Sequence, residues 1–168
     1  MKKKLLLLLV LPIVFLAVGC TMANTPTSKV EDLFTKYQKL DTDIDSGITS
    51  VLYEQNISDA QKERYREILE KQYKNLTYQI KEEIIDGDTA TVNTEIEVTD
   101  YKRAINDLVF DSNIYTKETY DEEKLNRLEQ AKEKVKYTLE LTLTKDDDGD
   151  WRLNALTNEE LKKIQGMY

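Results

Sequence analysis

The sequence predicts an α+β domain: N-terminal helices packed on a four-stranded antiparallel sheet made of two hairpins, with a helical segment between the hairpins. Three observations carry that expectation. Apolar residues recur every three or four positions from Val30 to Tyr73, alternation with a period of two runs from Leu76 to Val98, and the same alternation returns from Tyr137 to Ala155. Amphipathic helices and half-apolar strands each have one face to bury, and packing the first on the second buries both.

The chain opens with the positive segment Met1-Lys2-Lys3-Lys4 and then runs apolar from Leu5 to Val18, interrupted only by Pro12. This is the pattern of a secretory signal, and it falls short of the roughly 20 apolar residues that cross a bilayer. Its end, Leu16-Ala17-Val18-Gly19-Cys20, resembles the lipobox of bacterial lipoproteins, with Gly19 before the cut and Cys20 as the modified residue; Ala17 stands where that family most often has Leu. The resemblance covers Met1 to Cys20. It implies a signal peptide at 1–19, a diacylglyceryl group on the Cys20 sulfur with acyl chains such as palmitate, and a chain held on the outer face of a Gram-positive cell membrane. Two acyl chains hold a protein stably where one does so marginally. Thr21 to Thr27, small and polar with Pro26 among them, reads as a tether, so that residues 20–27 lead into one domain at 28–168.

Composition narrows the chemistry. Lys and Arg number 24 against 32 Asp and Glu, and three of the lysines belong to the signal, so the working part is strongly acidic. Such a balance excludes nucleic acid, whose binding needs a basic footprint. Histidine is absent and Cys20 is the lone cysteine. Ser-His-Asp and Cys-His catalysis, His-ligated zinc and thiol redox chemistry therefore lack their side chains, and no metal or cofactor is expected.

Each element has its own signature. Ser28 and Glu31 form a capping box before the stripe Val30, Leu33, Phe34, Tyr37 and Leu40. Ile44, Ile48, Val51 and Leu52 mark a second helix weakened by Gly47, and Ser58 with Gln61 caps a third that buries Tyr65, Ile68, Leu69 and Tyr73. Leu76, Tyr78, Ile80, Glu82 and Ile84 share one face of the next strand, and Ala90, Val92, Thr94, Ile96 and Val98 form the apolar face of its partner. Both sets are even-numbered, so the loop must hold an odd number of residues. Ile85-Asp86-Gly87 satisfies this and pairs Ile80 with Val92 and Tyr78 with Thr94. Tyr101, Ala104, Ile105, Leu108 and Val109 give a short helix, Asp111 to Lys117 a polar linker, and Thr119 with Glu122 the cap of a longer helix with Leu125, Leu128 and Val135 as its seam. Tyr137, Leu139, Leu141 and Leu143 then alternate, as do Trp151, Leu153 and Ala155, around a loop Asp147-Asp148-Gly149. Thr157 and Glu160 cap a final helix through Leu161 and Ile164 that Gly166 stops.

Two places invite a functional reading. Asp146, Asp147, Asp148 and Asp150 cluster, but a calcium loop starting at Asp146 needs glycine sixth and glutamate twelfth, where Trp151 and Thr157 stand; a solvated turn accounts for them. Glu82 sits in the inward phase between Ile80 and Ile84, so its carboxylate belongs either to a wet sheet rim or to a pocket shared with Tyr78, Ile80, Tyr137 and Trp151. In a pocket it is a candidate general base with Tyr78 or Tyr137 as hydrogen-bond donor.

Helices followed by curved hairpins, with Trp151 in the last strand, make residues 28–168 similar to cystatin-like and nuclear-transport-factor-two-like domains. The similarity is one of pattern, and the helical segment between the hairpins departs from the simplest version. The family contains small-molecule binders, dimerising adaptors and a few enzymes, so it chooses no function. The expected function is a lipid-anchored, non-catalytic binding or interaction module of the cell envelope with a protein or small-molecule ligand. The alternatives are a pocket enzyme using Glu82 and a structural spacer or homodimer.

Overall fold

The computed structural model describes residues 24–168; the stretch read above as a signal sequence with Gly19, the expected lipidation site Cys20 and the first part of the expected tether lie outside the described residues. The elements follow in the order α1 (Pro26–Lys39), α2 (Thr42–Glu54), α3 (Asp59–Lys74), β1 (Thr77–Asp86), β2 (Thr89–Thr99), α4 (Tyr101–Ala104), α5 (Lys117–Gln130), β3 (Lys134–Lys145), β4 (Trp151–Leu153) and α6 (Asn158–Ile164). The four strands form one antiparallel sheet in chain order, β1-β2-β3-β4.

Two helices start where a Ser/Thr-x-x-Glu/Gln pattern places them. Ser58 caps α3 with Gln61 returning the bond, and Thr157 caps α6 with Glu160. The other two capping-box starts lie three residues earlier than expected. Thr25 caps α1 and Thr116 caps α5, and the hydroxyls of Ser28 and Thr119 bond back to the cap nitrogens at 3.2 and 2.9 Å. A third-position hydroxyl does the work expected of a carboxylate. The folded domain consequently begins before Ser28. Pro26 is buried at the first turn of α1, and the Asn24 amide donates to Asp150 Oδ1 (2.8 Å) and accepts from the Trp151 backbone N–H (2.9 Å). The tether is shortened accordingly.

The first hairpin reaches its register by an unexpected route. Asp86 pairs with Thr89 across a two-residue turn, Gly87-Asp88, whose first position holds Gly87 at φ +60°. An even turn would set the apolar positions of β1 opposite the polar ones of β2. A bulge at Lys81 absorbs one residue and restores the match, so that Tyr78 faces Ile96 and Ile80 faces Thr94, rather than Thr94 and Val92. The second hairpin follows the parity argument directly. Leu143 pairs with Leu153 and Lys145 with Trp151, Asp146 N–H donates to Asp150 O (2.9 Å), and Gly149 stands third in the enclosed loop at φ +82°. The segment between hairpins is less helical than its sequence suggests: α4 is one turn, Val109 is exposed, and Val135 belongs to β3 instead of the α5 seam.

One sheet face carries the core. Val30, Phe34 and Tyr37 of α1 pack against Val92, Ile96, Val98, Leu139, Leu141 and Leu143, with Trp151 and Ile164 closing the side. A second cluster, Ile68, Tyr101, Leu125 and Leu128, joins α3 to α4 and α5. Arg64 reinforces that junction from α3, bonding Glu122, Asn126 (2.8 Å) and Glu129 (2.7 and 2.9 Å) on α5. Every residue of both clusters lies between Val30 and Ile164, so residues 24–168 fold around a core of their own. The opposite sheet face is polar, with Gln79, Glu95, Lys136 and Thr138 among its residues. Among the described residues no helix is long and apolar enough to cross a membrane.

Candidate functional site

The residues grouped at the sequence level around Glu82 do not meet in a pocket. The Lys81 bulge rotates Glu82 to the side of its partner Asn93, on the polar face, where it is exposed and accepts from Asn93 Nδ2 at 3.2 Å. Tyr78 and Ile80 stay on the inner face. The Tyr78 ring stacks on Phe34 with centroids 4.7 Å apart, and burial, aided by the nearby Glu31 carboxylate, raises its hydroxyl above the usual phenol value. Tyr137, opposite Ile96 on the other side, donates to the Tyr168 carbonyl at 3.2 Å, and its pKa is likewise raised by burial and by Asp100. Trp151 is buried at the hairpin-tip end, with the Lys145 ammonium 4.9 Å from its ring centroid. A carboxylate on one face and tyrosines on the other cannot share a proton. The pocket-base arrangement is therefore not assembled, and the bulge is the reason.

The aspartate cluster is turn chemistry. Asp146 Oδ1 accepts from the backbone N–H groups of Asp148 (3.1 Å) and Asp150 (2.9 Å), and Oδ2 accepts from Arg152 Nε (2.7 Å). Arg152 first, and the Asp150 amide second, hold this carboxyl below its usual range. Among the described residues no group of three or more His, Cys, Asp or Glu side chains is placed to hold a metal ion.

Two depressions are open and lined in part by charged side chains. A groove of about 530 Å³ lies between α4 and the end of α5; in its walls Arg127 bonds Asp107 (2.7 Å) and Arg103 bonds Glu133 (2.8 Å). A smaller one, about 140 Å³, opens on the polar sheet face beside Tyr78, Gln79, Glu97 and Lys136. There Lys136 (3.1 Å) and Lys81 (3.4 Å) flank Glu95, and the hydrogen bond from Lys136 leads in lowering its pKa.

A surface feature that the sequence reading passed over lies in the stretch between α4 and α5. Tyr120 donates to the Leu108 carbonyl at 3.3 Å and meets Phe110 and Tyr115 edge-on, with centroids 5.4 and 5.8 Å apart. Around this ordered knot Val109, Phe110 and Ile114 are 73, 50 and 71 % exposed. The loop lacks any period, so pattern reading saw only its Asp, Ser, Asn and Thr. The available signal was compositional: five large apolar or aromatic side chains within twelve positions, Val109 to Tyr120.

The chain was compared with family models, with curated proteins and with solved structures, and it matches none of them.

Proposed function

We propose that this chain is a lipid-anchored, extracytoplasmic interaction module, held to the outer face of the cell membrane through Cys20 and engaging a protein partner without catalysing a reaction. The observation that carries the proposal is the lipobox-like Leu16–Cys20 stretch set four residues ahead of Asn24, the first described residue of the domain. Four residues reach at most about 14 Å. Asn24 is fastened to Asp150 and Trp151, and Glu83 of β1 accepts from Thr27 N (2.8 Å) and Oγ1 (2.7 Å), so the chain enters at the corner formed by both hairpin tips. That corner faces the lipid. β2 leaves the sheet at the opposite end, where the stretch from Tyr101 to Ala131 is attached.

What supports a protein partner over a small ligand is the form of the surface. The groove between α4 and α5 is open and lined by charges, with Arg127 paired to Asp107 and Arg103 to Glu133, whereas ligand pockets enclose apolar walls. The cystatin-like reading of the domain rests on the sequence pattern of helices followed by hairpins with Trp151 in the last strand, and no activity is carried over from it.

Acyl labelling tests the anchor. Cells fed an alkyne-tagged palmitate should label the wild-type chain, and Cys20→Ala should abolish the label. A wild-type chain that takes up no label, or a variant that takes up as much, overturns the reading.

A further inference from the structure

We infer that the aromatic knot between α4 and α5 is the docking surface of this module, and that it takes a cationic protein segment whose apolar anchors are flanked by Lys or Arg. The inference rests on the interaction-module reading above and names the surface and the partner chemistry for it.

The argument begins with cost. Val109 and Ile114 spend most of their surface in water, and Phe110 half of its own. Loops expose single apolar residues freely; a contiguous set is the mark of a contact surface. The set is also ordered. Tyr120 projects from the first turn of α5, which Thr116 caps; it is tied to the Leu108 carbonyl and holds Phe110 and Tyr115 against its ring. Asp111 Oδ1 closes the intervening turn by accepting from Asn113 N–H at 2.8 Å. Rigid aromatic anchors suit recognition because little side-chain freedom is left to lose on binding.

Charge selects the occupant. From Ile105 to Glu123 the chain carries six acidic side chains and one basic. Arg127 engages Asp107 and Glu123, Arg64 engages Glu122, and Lys117 engages Asp121. Asp111 and Glu118 make no ion pair among the described residues, and both are exposed beside the knot. A second copy would bring the same carboxylates face to face, and an anionic lipid surface would be repelled in the same way. A basic, apolar protein segment satisfies both conditions.

The test uses residues 24–168, which carry their own core, and three synthetic 16-residue helical peptides: leucine/lysine, leucine/glutamate, and serine/lysine with the charge of the first. Titrations followed by amide NMR shifts give both affinity and location. The leucine/lysine peptide should bind with a micromolar Kd and shift resonances from Leu108 to Tyr120, the other two at least tenfold more weakly. Phe110→Ser and Ile114→Ser should each weaken binding at least tenfold. The loop is exposed, so both variants should unfold at the wild-type urea midpoint.

Shifts spread over other acidic surfaces, or unchanged binding by either variant, overturn the assignment. Equal binding of the leucine/glutamate peptide overturns the charge argument. Dimers in sedimentation that Phe110→Ser dissolves would transfer the surface to a second copy, and vesicle binding that it abolishes would transfer it to lipid. Because no lipid anchor is present in this experiment, its failure is separable from a failed acyl labelling.

Discussion

Replacing Gln72 by Met probes the junction at which helices and sheet are locked together. Gln72 is fully buried on α3, and its amide treats Thr99 as a neighbouring strand would: Nε2 donates to Thr99 O and Oε1 accepts from Thr99 N–H, both at 3.0 Å. β1 starts at Thr77 opposite Glu97, so Thr99 extends past the end of its sheet partner on that side. The side chain substitutes for the missing backbone. Methionine keeps the length and approximate volume but offers neither bond. Two buried backbone groups lose their partners at about 1–3 kcal/mol each, and the more apolar thioether returns about 1 kcal/mol, leaving a net loss of about 1–5 kcal/mol, centred near 3 kcal/mol. With a urea slope of about 1.5 kcal/mol/M, the central value lowers the midpoint by roughly 2 M. Hydrogen exchange should at the same time show the Thr99 amide losing protection. A Met variant within about 0.5 kcal/mol of wild type, with Thr99 still protected, would refute the reasoning, since it would mean that the backbone finds its partners elsewhere.

Three further outcomes follow from the same structure. Gly166 sits at φ +70°, and a Cβ built there meets Thr99 O at 2.0 Å and Gln72 Nε2 at 2.6 Å, so Gly166→Ala should cost at least about 3 kcal/mol by urea unfolding; a loss below 1 kcal/mol would mean that the C-terminal turn moves freely. Thr94 is fully buried and its hydroxyl has no hydrogen-bond partner among the described residues, so Thr94→Val should raise stability by about 1 kcal/mol in the same assay, and a loss would point to a hidden partner. Stability should be flat from pH 6 to 9, because the chain has no histidine. Lys136 lowers the pKa of Glu95, Arg64 that of Glu129 and Lys163 that of Glu159; their contribution is present above the unfolded value near 4 and is lost as pH falls through the depressed folded values. Burial raises Tyr37, Tyr65 and Tyr73, and Tyr101 to about 12, so that contribution is complete below pH 10 and lost above it; a slope in the urea midpoint between pH 6 and 9 would contradict this account.

Much of the fold was legible because period and parity are physical constraints on which residues can share a face. The α3 and α6 caps and the loop around Gly149 follow from them. What escaped were features that leave the pattern intact. The alternation from Leu76 to Ile84 runs unbroken through Lys81, so nothing in it marks a bulge, yet the bulge decides that Glu82 faces water. Ser28 and Thr119 carry the composition of an N-cap but occupy the third helical position, since a hydroxyl can return the capping bond as a carboxylate does. The candidate site was the least legible part. Its residues, from Val109 to Tyr120, are brought together by a tyrosine hydroxyl reaching a backbone carbonyl twelve positions away, and no periodicity reports such a contact.

The bulge at Lys81 also bears on how neighbouring copies of this domain would meet. β1 is an outer strand ten residues long that ends in the half-exposed pair Ile84 and Ile85. Lipid tethering would crowd many copies into two dimensions with their hairpin ends at the same height, a setting in which regular outer strands zip together into cross-molecular sheets. Lys81, Glu82 and Glu83 interrupt the repeat in the middle of that strand and place charge where a neighbour's backbone would have to lie. On the proposed lipid anchor, the residue that removes Glu82 from the interior would also oppose edge-to-edge pairing between neighbouring copies.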